Sequence, residues 1–203
     1  MAKFNLSMME IPDYNPNTEQ TQQSNDLSNW PTSFPKTTIG LDRVGVITKD
    51  DSLEYVPGAL ESIKALRLKG YKVILIMGED GKTEQQANTQ NESMMNDFGN
   101  AGIMSIEGIY YSIGTDKRDP FVKPSTGMFK RAENENSKIK FSGGIYVGKT
   151  INDAKAAFKI GARGVLINPT EDTIKKLGSF ANQKIKKKTR IFQSLQEFEK
   201  TLK

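Results

Sequence analysis

From Lys36 to Lys203, short apolar runs alternate with segments of helical spacing, and this alternation constrains the fold more than any other feature. TTIGLD (37–42), YKVILIM (71–77), EGIYY (107–111), GGIYVG (143–148), RGVLI (163–167) and TRIF (189–192) read as strands. Between them, PGALESIKALRLKG (57–70) carries Leu60, Ile63 and Leu66 on one helical face. It stops at Gly70, where a helix takes a C-terminal glycine. TEQQANTQNESMMNDFG buries its end through Met94, Met95 and Phe98. TGMFKRAENEN, TINDAKAAFKIGA and EDTIKKLG continue the pattern, and SLQEFEKTLK closes it with Ser194 as N-cap. Strand–helix alternation predicts an α/β, three-layer, Rossmann-like fold with a mainly parallel sheet of five to six strands. Ligands of such sheets bind at the carboxyl ends of the strands.

Residues 1–37 differ. PDYNPNTEQTQQSNDLSNWPTSFPK is rich in Asn, Gln, Ser, Thr and Pro and has no sustained period. This composition predicts an extended or disordered arm ahead of a domain spanning 38–203. Trp30, the only tryptophan, lies in the arm and packs either on its own domain or on a partner.

The 203-residue chain has no Cys and no His. Disulfides, thiol nucleophiles, imidazole bases and zinc sites built on Cys or His are therefore excluded. Carboxylate, lysine, hydroxyl or Mg²⁺-assisted chemistry remains, or none. Neither a spanning apolar run nor a secretory signal is visible, which predicts no membrane partner and a cytoplasmic location, or a particle assembled there. The net charge of +5 weakly favours anionic partners. Much of it sits in Lys184, Lys186, Lys187, Lys188 and Arg190, a run that reads first as a solvated loop, with a nucleic-acid contact the weaker alternative. Few aromatics interleave with it in sequence, so base stacking is not expected.

The strand ends carry the candidate chemistry. The first strand ends at Asp42, the second at Met77-Gly78 and the fourth at Gly148-Lys149, with Asp153 four residues on. Lys123 precedes a helix in VKPSTGMF. A carboxylate there can attack phosphorus or hold a metal, and a lysine can neutralise phosphoryl charge. GKT (148–150) lacks the upstream glycines of a P-loop.

In that order, LDRVGVITKD, VKPSTGMF, IYVGKTINDAKAAFKIGARGVLIN and TRIFQSLQEFEKTL resemble the haloacid dehalogenase (HAD) superfamily. The likeness is greatest to its capless histidinol-phosphate and heptose-bisphosphate phosphatases. The gaps between the motifs leave no room for a cap domain. The resemblance implies Asp42 as nucleophile, Lys123 as the motif lysine, and Asp42 and Asp153 as Mg²⁺ ligands if the site is active. It puts Val44 at the general acid/base position, Met77 at the phosphate-binding hydroxyl and Lys149 at a metal-binding acid, so three functions are degenerate. Lys149 then either repels Mg²⁺ or replaces it between Asp42 and Asp153. Asp50, Asp51, Glu79 and Asp80 are the acids able to substitute, although GEDGK (78–82) also reads as a polar turn. A metal-free dehalogenase route would still lack the hydroxyl at Met77.

General acid–base help is worth about 10²–10⁴-fold, and a stabilising donor about 10²–10³-fold. These losses favour a non-catalytic domain with a binding, structural or assembly role exercised through its arm, with no cofactor. The partners expected are a protein on the arm and possible further copies of the chain. A residual phosphatase acting on a phosphorylated sugar or nucleic-acid end is the alternative.

Overall fold

Thr38–Leu41 (β1) is buried at every position, as a strand covered on both faces must be. It opens the part of the computed structural model that can be described, residues 37–79 and 81–203. The expected arm, with Trp30, lies outside the described residues, as does Asp80. The chain continues through Ala59–Leu68 (α1), Lys72–Gly78 (β2), Glu84–Asn100 (α2), Ile109–Ser112 (β3) and Gly127–Glu135 (α3). Ile145–Gly148 (β4), Ile151–Lys159 (α4), Arg163–Ile167 (β5) and Glu171–Gly178 (α5) follow. Gln183–Lys187 (α6), Thr189–Phe192 (β6) and Leu195–Lys200 (α7) complete it.

The strands form one six-stranded sheet in the order β3-β2-β1-β4-β5-β6, and every pairing is parallel. The expected α/β Rossmann-like sheet is present. The order reverses between β1 and β4, which opens a crevice at their carboxyl ends. No inserted domain stands over it: the loop from β1 to α1 folds back through Arg43, whose carbonyl accepts from the backbone N–H groups of Val46, Ile47 and Thr48.

Side-chain alternation divides the core. Ile74 and Ile76 of β2 join Tyr146 of β4, Phe129 and Ala132 of α3, and Ala156 and Ala157 of α4. Period two leaves Val73, Leu75 and Met77 to the opposite face. Met77 is fully buried and belongs to the core there. Phe129 meets Phe141 and Tyr146 edge-to-face at centroid distances of 5.0 and 4.9 Å. Both contacts have the geometry that aromatic quadrupoles favour.

The local signals held where capping chemistry was explicit. Ser194 accepts from the Glu197 N–H at 3.0 Å, and Gly70 adopts φ +86° after α1. The basic run differs from the solvated-loop expectation: Gln183–Lys187 is helical, because Lys and Gln are good helix formers once tertiary contacts hold the turn. Arg190 lies inside β6, half-buried, apart from the lysine run.

Phe129→Ala would remove the central ring of that aromatic group. A loss of about 3–5 kcal/mol in unfolding free energy is expected. Urea denaturation would measure it, and a loss below 1 kcal/mol would show that the three rings do not act as a packed unit.

Candidate functional site

Asp42 directly follows β1 and stands at the switch point, where its backbone N–H donates to the Val147 carbonyl of β4 at 2.8 Å. Its Oδ1 accepts from the Arg43 N–H at 3.0 Å, and its Oδ2 lies 2.6 Å from Lys123 Nζ. The same ammonium is 2.7 Å from Asp153 Oδ1 and donates to the Tyr146 hydroxyl at 3.1 Å. The Tyr146 hydroxyl in turn donates a hydrogen bond to the Ile76 carbonyl at 2.8 Å. Thus Asp42, Lys123 and Asp153, distant in sequence, converge as expected.

Asp153 is fixed by the start of α4. Its Oδ2 accepts from the Thr150 N–H at 2.8 Å, the Thr150 hydroxyl at 2.7 Å and the Lys149 N–H at 3.1 Å. This is a capping box, in which side chain and backbone satisfy one another's orphan groups. Gly148 makes it possible, since a Cβ there would overlap the Asp153 side chain. Asp153 Oδ1 has Lys123 as a charge partner but no aligned hydrogen bond.

Two carboxylates therefore share one ammonium, and they do not share it equally. Burial raises Asp42 to about 6, only partly opposed by Lys123 and reinforced by the negative charge of Asp153. Asp153 pays the same desolvation, but Lys123 and the Thr150 donors overcome it and hold its carboxyl below the usual range. The difference follows from the donors: Asp153 has Thr150 and Lys149 besides Lys123, whereas Asp42 has one backbone N–H. Burial opposes the charge on Lys123, yet Asp153 and Asp42 together keep its ammonium well above the ordinary lysine value.

Of the two places open to Lys149, the one between the carboxylates is not taken. Its side chain lies along Gly45, where φ is +76° and a Cβ would overlap it. Lys123 holds the bridging position instead. Val44 contributes an aliphatic side chain, half-buried in the loop, with a backbone bridge to Thr48. The acids that sequence reasoning offered as substitutes are committed elsewhere. Glu79 is fully buried and takes Arg43 Nε and Nη2 at 2.9 and 2.7 Å. Asp51 accepts from Arg43 Nη2 at 3.0 Å and approaches Lys82 at 3.3 Å. Asp50 is exposed and caps the Ser52 N–H at 2.8 Å.

The cavity beside Asp42 has a volume of about 210 Å³ and is lined by Gly78, Ser112, Lys123, Thr150 and Asn152 among others. Sequence reasoning missed Ser112, Asn152 and the buried Arg43–Glu79 pair. Ser112 ends β3, and its place in the strand order could have been found only after the sheet was known. Arg43 carried a signal, since an arginine directly after a buried strand needs a buried acid.

This arrangement offers a magnesium ion few uncommitted oxygens. Asp42 Oδ2 and Asp153 Oδ1 both face the Lys123 ammonium, and position 149 supplies a cation instead of a further oxygen. Among the described residues no group of three or more acidic side chains converges. Mg²⁺ demands six oxygens in near-octahedral array.

Titration separates the two carboxylates. Asp42 holds its proton to about 6 when folded and to about 3.8 when unfolded, so the folded state binds more protons between those values. Stability from this group is present at pH 4 and is lost as pH rises through 6, by roughly 3 kcal/mol at most. Comparing wild type with Asp42→Asn by urea denaturation from pH 4 to 7 isolates the contribution. A difference that stays flat across that range would contradict the assignment.

Neither a family model nor a curated protein sequence matches the chain. Solved structures do. A D,D-heptose 1,7-bisphosphate phosphatase from B. bronchiseptica, complexed with magnesium and phosphate, superposes with TM-score 0.69 at 21% identity, covering 81% of this chain and 96% of that one. The corresponding phosphatase from Burkholderia thailandensis gives 0.58 at 21% identity, covering 81% and 96%. A candidate HAD-like phosphatase from Mesorhizobium loti gives 0.54 at 21% identity, covering 68% and 76%. The described residues have the fold of HAD-superfamily phosphatases, and no cap domain is evident among them.

Proposed function

We propose that this chain is a HAD-fold domain without phosphatase turnover, which serves a binding or assembly role through residues 1–37. One observation carries the reading: among the described residues, Asp42 is the single carboxylate lining its cavity. Phosphoryl transfer through an aspartate needs a second group to protonate the leaving oxygen and to activate water. Val44 cannot do so, Lys123 is a fixed cation, and Glu79 is locked to Arg43. The Lys149 side chain beside Gly45 adds a cation where the resemblance puts a metal-binding acid. The arm, rich in polar residues and Pro, suits a segment that orders on a protein partner or on a second copy. The corresponding location is the cytoplasm or a particle assembled there.

A second reading rests on Ser112. It lines the same cavity as Asp42 and Lys123, and brings a hydroxyl there. With Lys123 it would favour residual hydrolysis of a phosphorylated sugar or nucleic-acid end, with Asp42 as nucleophile and Mg²⁺ supplied with the substrate.

The test is phosphate release from a panel of phosphate esters, with and without Mg²⁺. It compares wild type, Asp42→Asn and the triple variant Val44→Asp, Met77→Thr, Lys149→Asp. We expect no release from wild type and release from the triple variant. Mg²⁺-dependent release by wild type that disappears in Asp42→Asn would overturn the proposal in favour of the second reading.

A further inference from the structure

The basic segment lies away from the Asp42 site. α6 ends just before Thr189 opens β6, so the segment sits at the amino ends of the parallel strands, whereas Asp42 stands at their carboxyl ends. Lys155 to Arg190 contains ten basic and two acidic residues, a net +8 within a chain of +5, so the rest of the chain is net −3. One of the two acids, Asp172, is paired with Lys176 at 2.6 Å. Lys175, Lys184, Lys186, Lys187 and Lys188 are exposed, and α4, α5 and α6 are in mutual contact.

The fold adds an aromatic that the sequence pattern did not show. Phe180 is 95% exposed on the 3-10 turn Phe180–Asn182, between α5 and α6. Side chains on either side hold this turn. The Ser179 hydroxyl and Asn182 Nδ2 both donate to the Lys176 carbonyl, at 2.8 and 2.7 Å. Gln183 Nε2 donates to the Gly178 carbonyl at 3.0 Å. The phenyl ring is thus presented to solvent on a hydrogen-bonded turn that joins two helices carrying exposed lysines. Lys188 stands over the Phe158 ring, with Nζ 5.7 Å from its centroid.

We propose that this surface binds single-stranded nucleic acid. The lysines would track the phosphates and Phe180 would stack one base, a sequence-tolerant combination. Charge complementarity with a polyanion selects the partner class. The isolated exposed aromatic selects a strand whose bases are free to stack over a closed duplex. The proposal is independent of whether Asp42 supports turnover.

The experiment is fluorescence anisotropy of a labelled 20-nucleotide oligo(dT) with the full chain across a salt series. Binding is expected to weaken with salt, with a slope near −3 for roughly four phosphate contacts. Lys184→Gln/Lys186→Gln/Lys187→Gln should flatten that slope. Phe180→Ala should cost on the order of tenfold at constant slope. All these side chains are exposed, so circular dichroism should show unchanged folding. Asp42→Asn should bind as wild type does. No binding at 50 mM salt, or binding unaffected by the triple lysine variant, would overturn the proposal. Equal affinity for a 20-base-pair duplex without sensitivity to Phe180→Ala would overturn the single-strand assignment. Binding to phosphatidylserine vesicles without oligonucleotide binding would overturn it in favour of a lipid surface.

Discussion

The rim of the sheet depends on one buried ammonium. Lys123 lies 2.6 Å from Asp42 and 2.7 Å from Asp153, and so ties together the end of β1, the segment before α3 and the first turn of α4. None of the three groups is stable there alone, because an unpaired buried charge costs several kcal/mol. Together they leave one excess negative charge, which the backbone donors around Asp153 and the helix start absorb unequally. The raised Asp42 and lowered Asp153 are two aspects of that asymmetry.

A second buried charge cluster stands beside the first and has a different character. Arg43 and Glu79 have side chains with no solvent exposure and meet in a bidentate fork. Asp51 and Lys82 extend the pair to the surface. The cluster joins the loop after β1 to the loop after β2. It fixes the backbone that presents Asp42. Buried ion pairs add little net stability over well-packed apolar residues, while specifying one geometry. Here that geometry is a closed loop, with Val44 on its wall and Gly45 under Lys149.

Much of this was legible in the sequence, for identifiable reasons. RGVLI, EDTIKKLG and TRIF lie at the observed bounds of β5, α5 and β6, because apolar runs flanked by capping residues leave few alternatives. The convergence of Asp42, Lys123 and Asp153 followed from strand order. Two things were not legible. Spacing left open whether Lys149 stands between the carboxylates, because the space its side chain takes beside Gly45, at positive φ and without a Cβ, is not visible in sequence. Phe180 has no periodic context, and its exposure results from hydrogen bonds by Ser179, Asn182 and Gln183 that only the folded turn creates.

The two ends of the sheet therefore bear different chemistry. At the carboxyl ends, charges are buried, paired and directed inward, and the cavity is small. At the amino ends beside β6, like charges stand in solvent without enough acids to neutralise them. Like charges so placed repel one another, and a fold gains nothing from assembling them on adjacent helices. A bound polyanion would relieve that repulsion and release its own counterions. Internal salt bridges thus occupy the crevice end of the sheet, while the lysine-rich surface of α5 and α6 lies toward its opposite end.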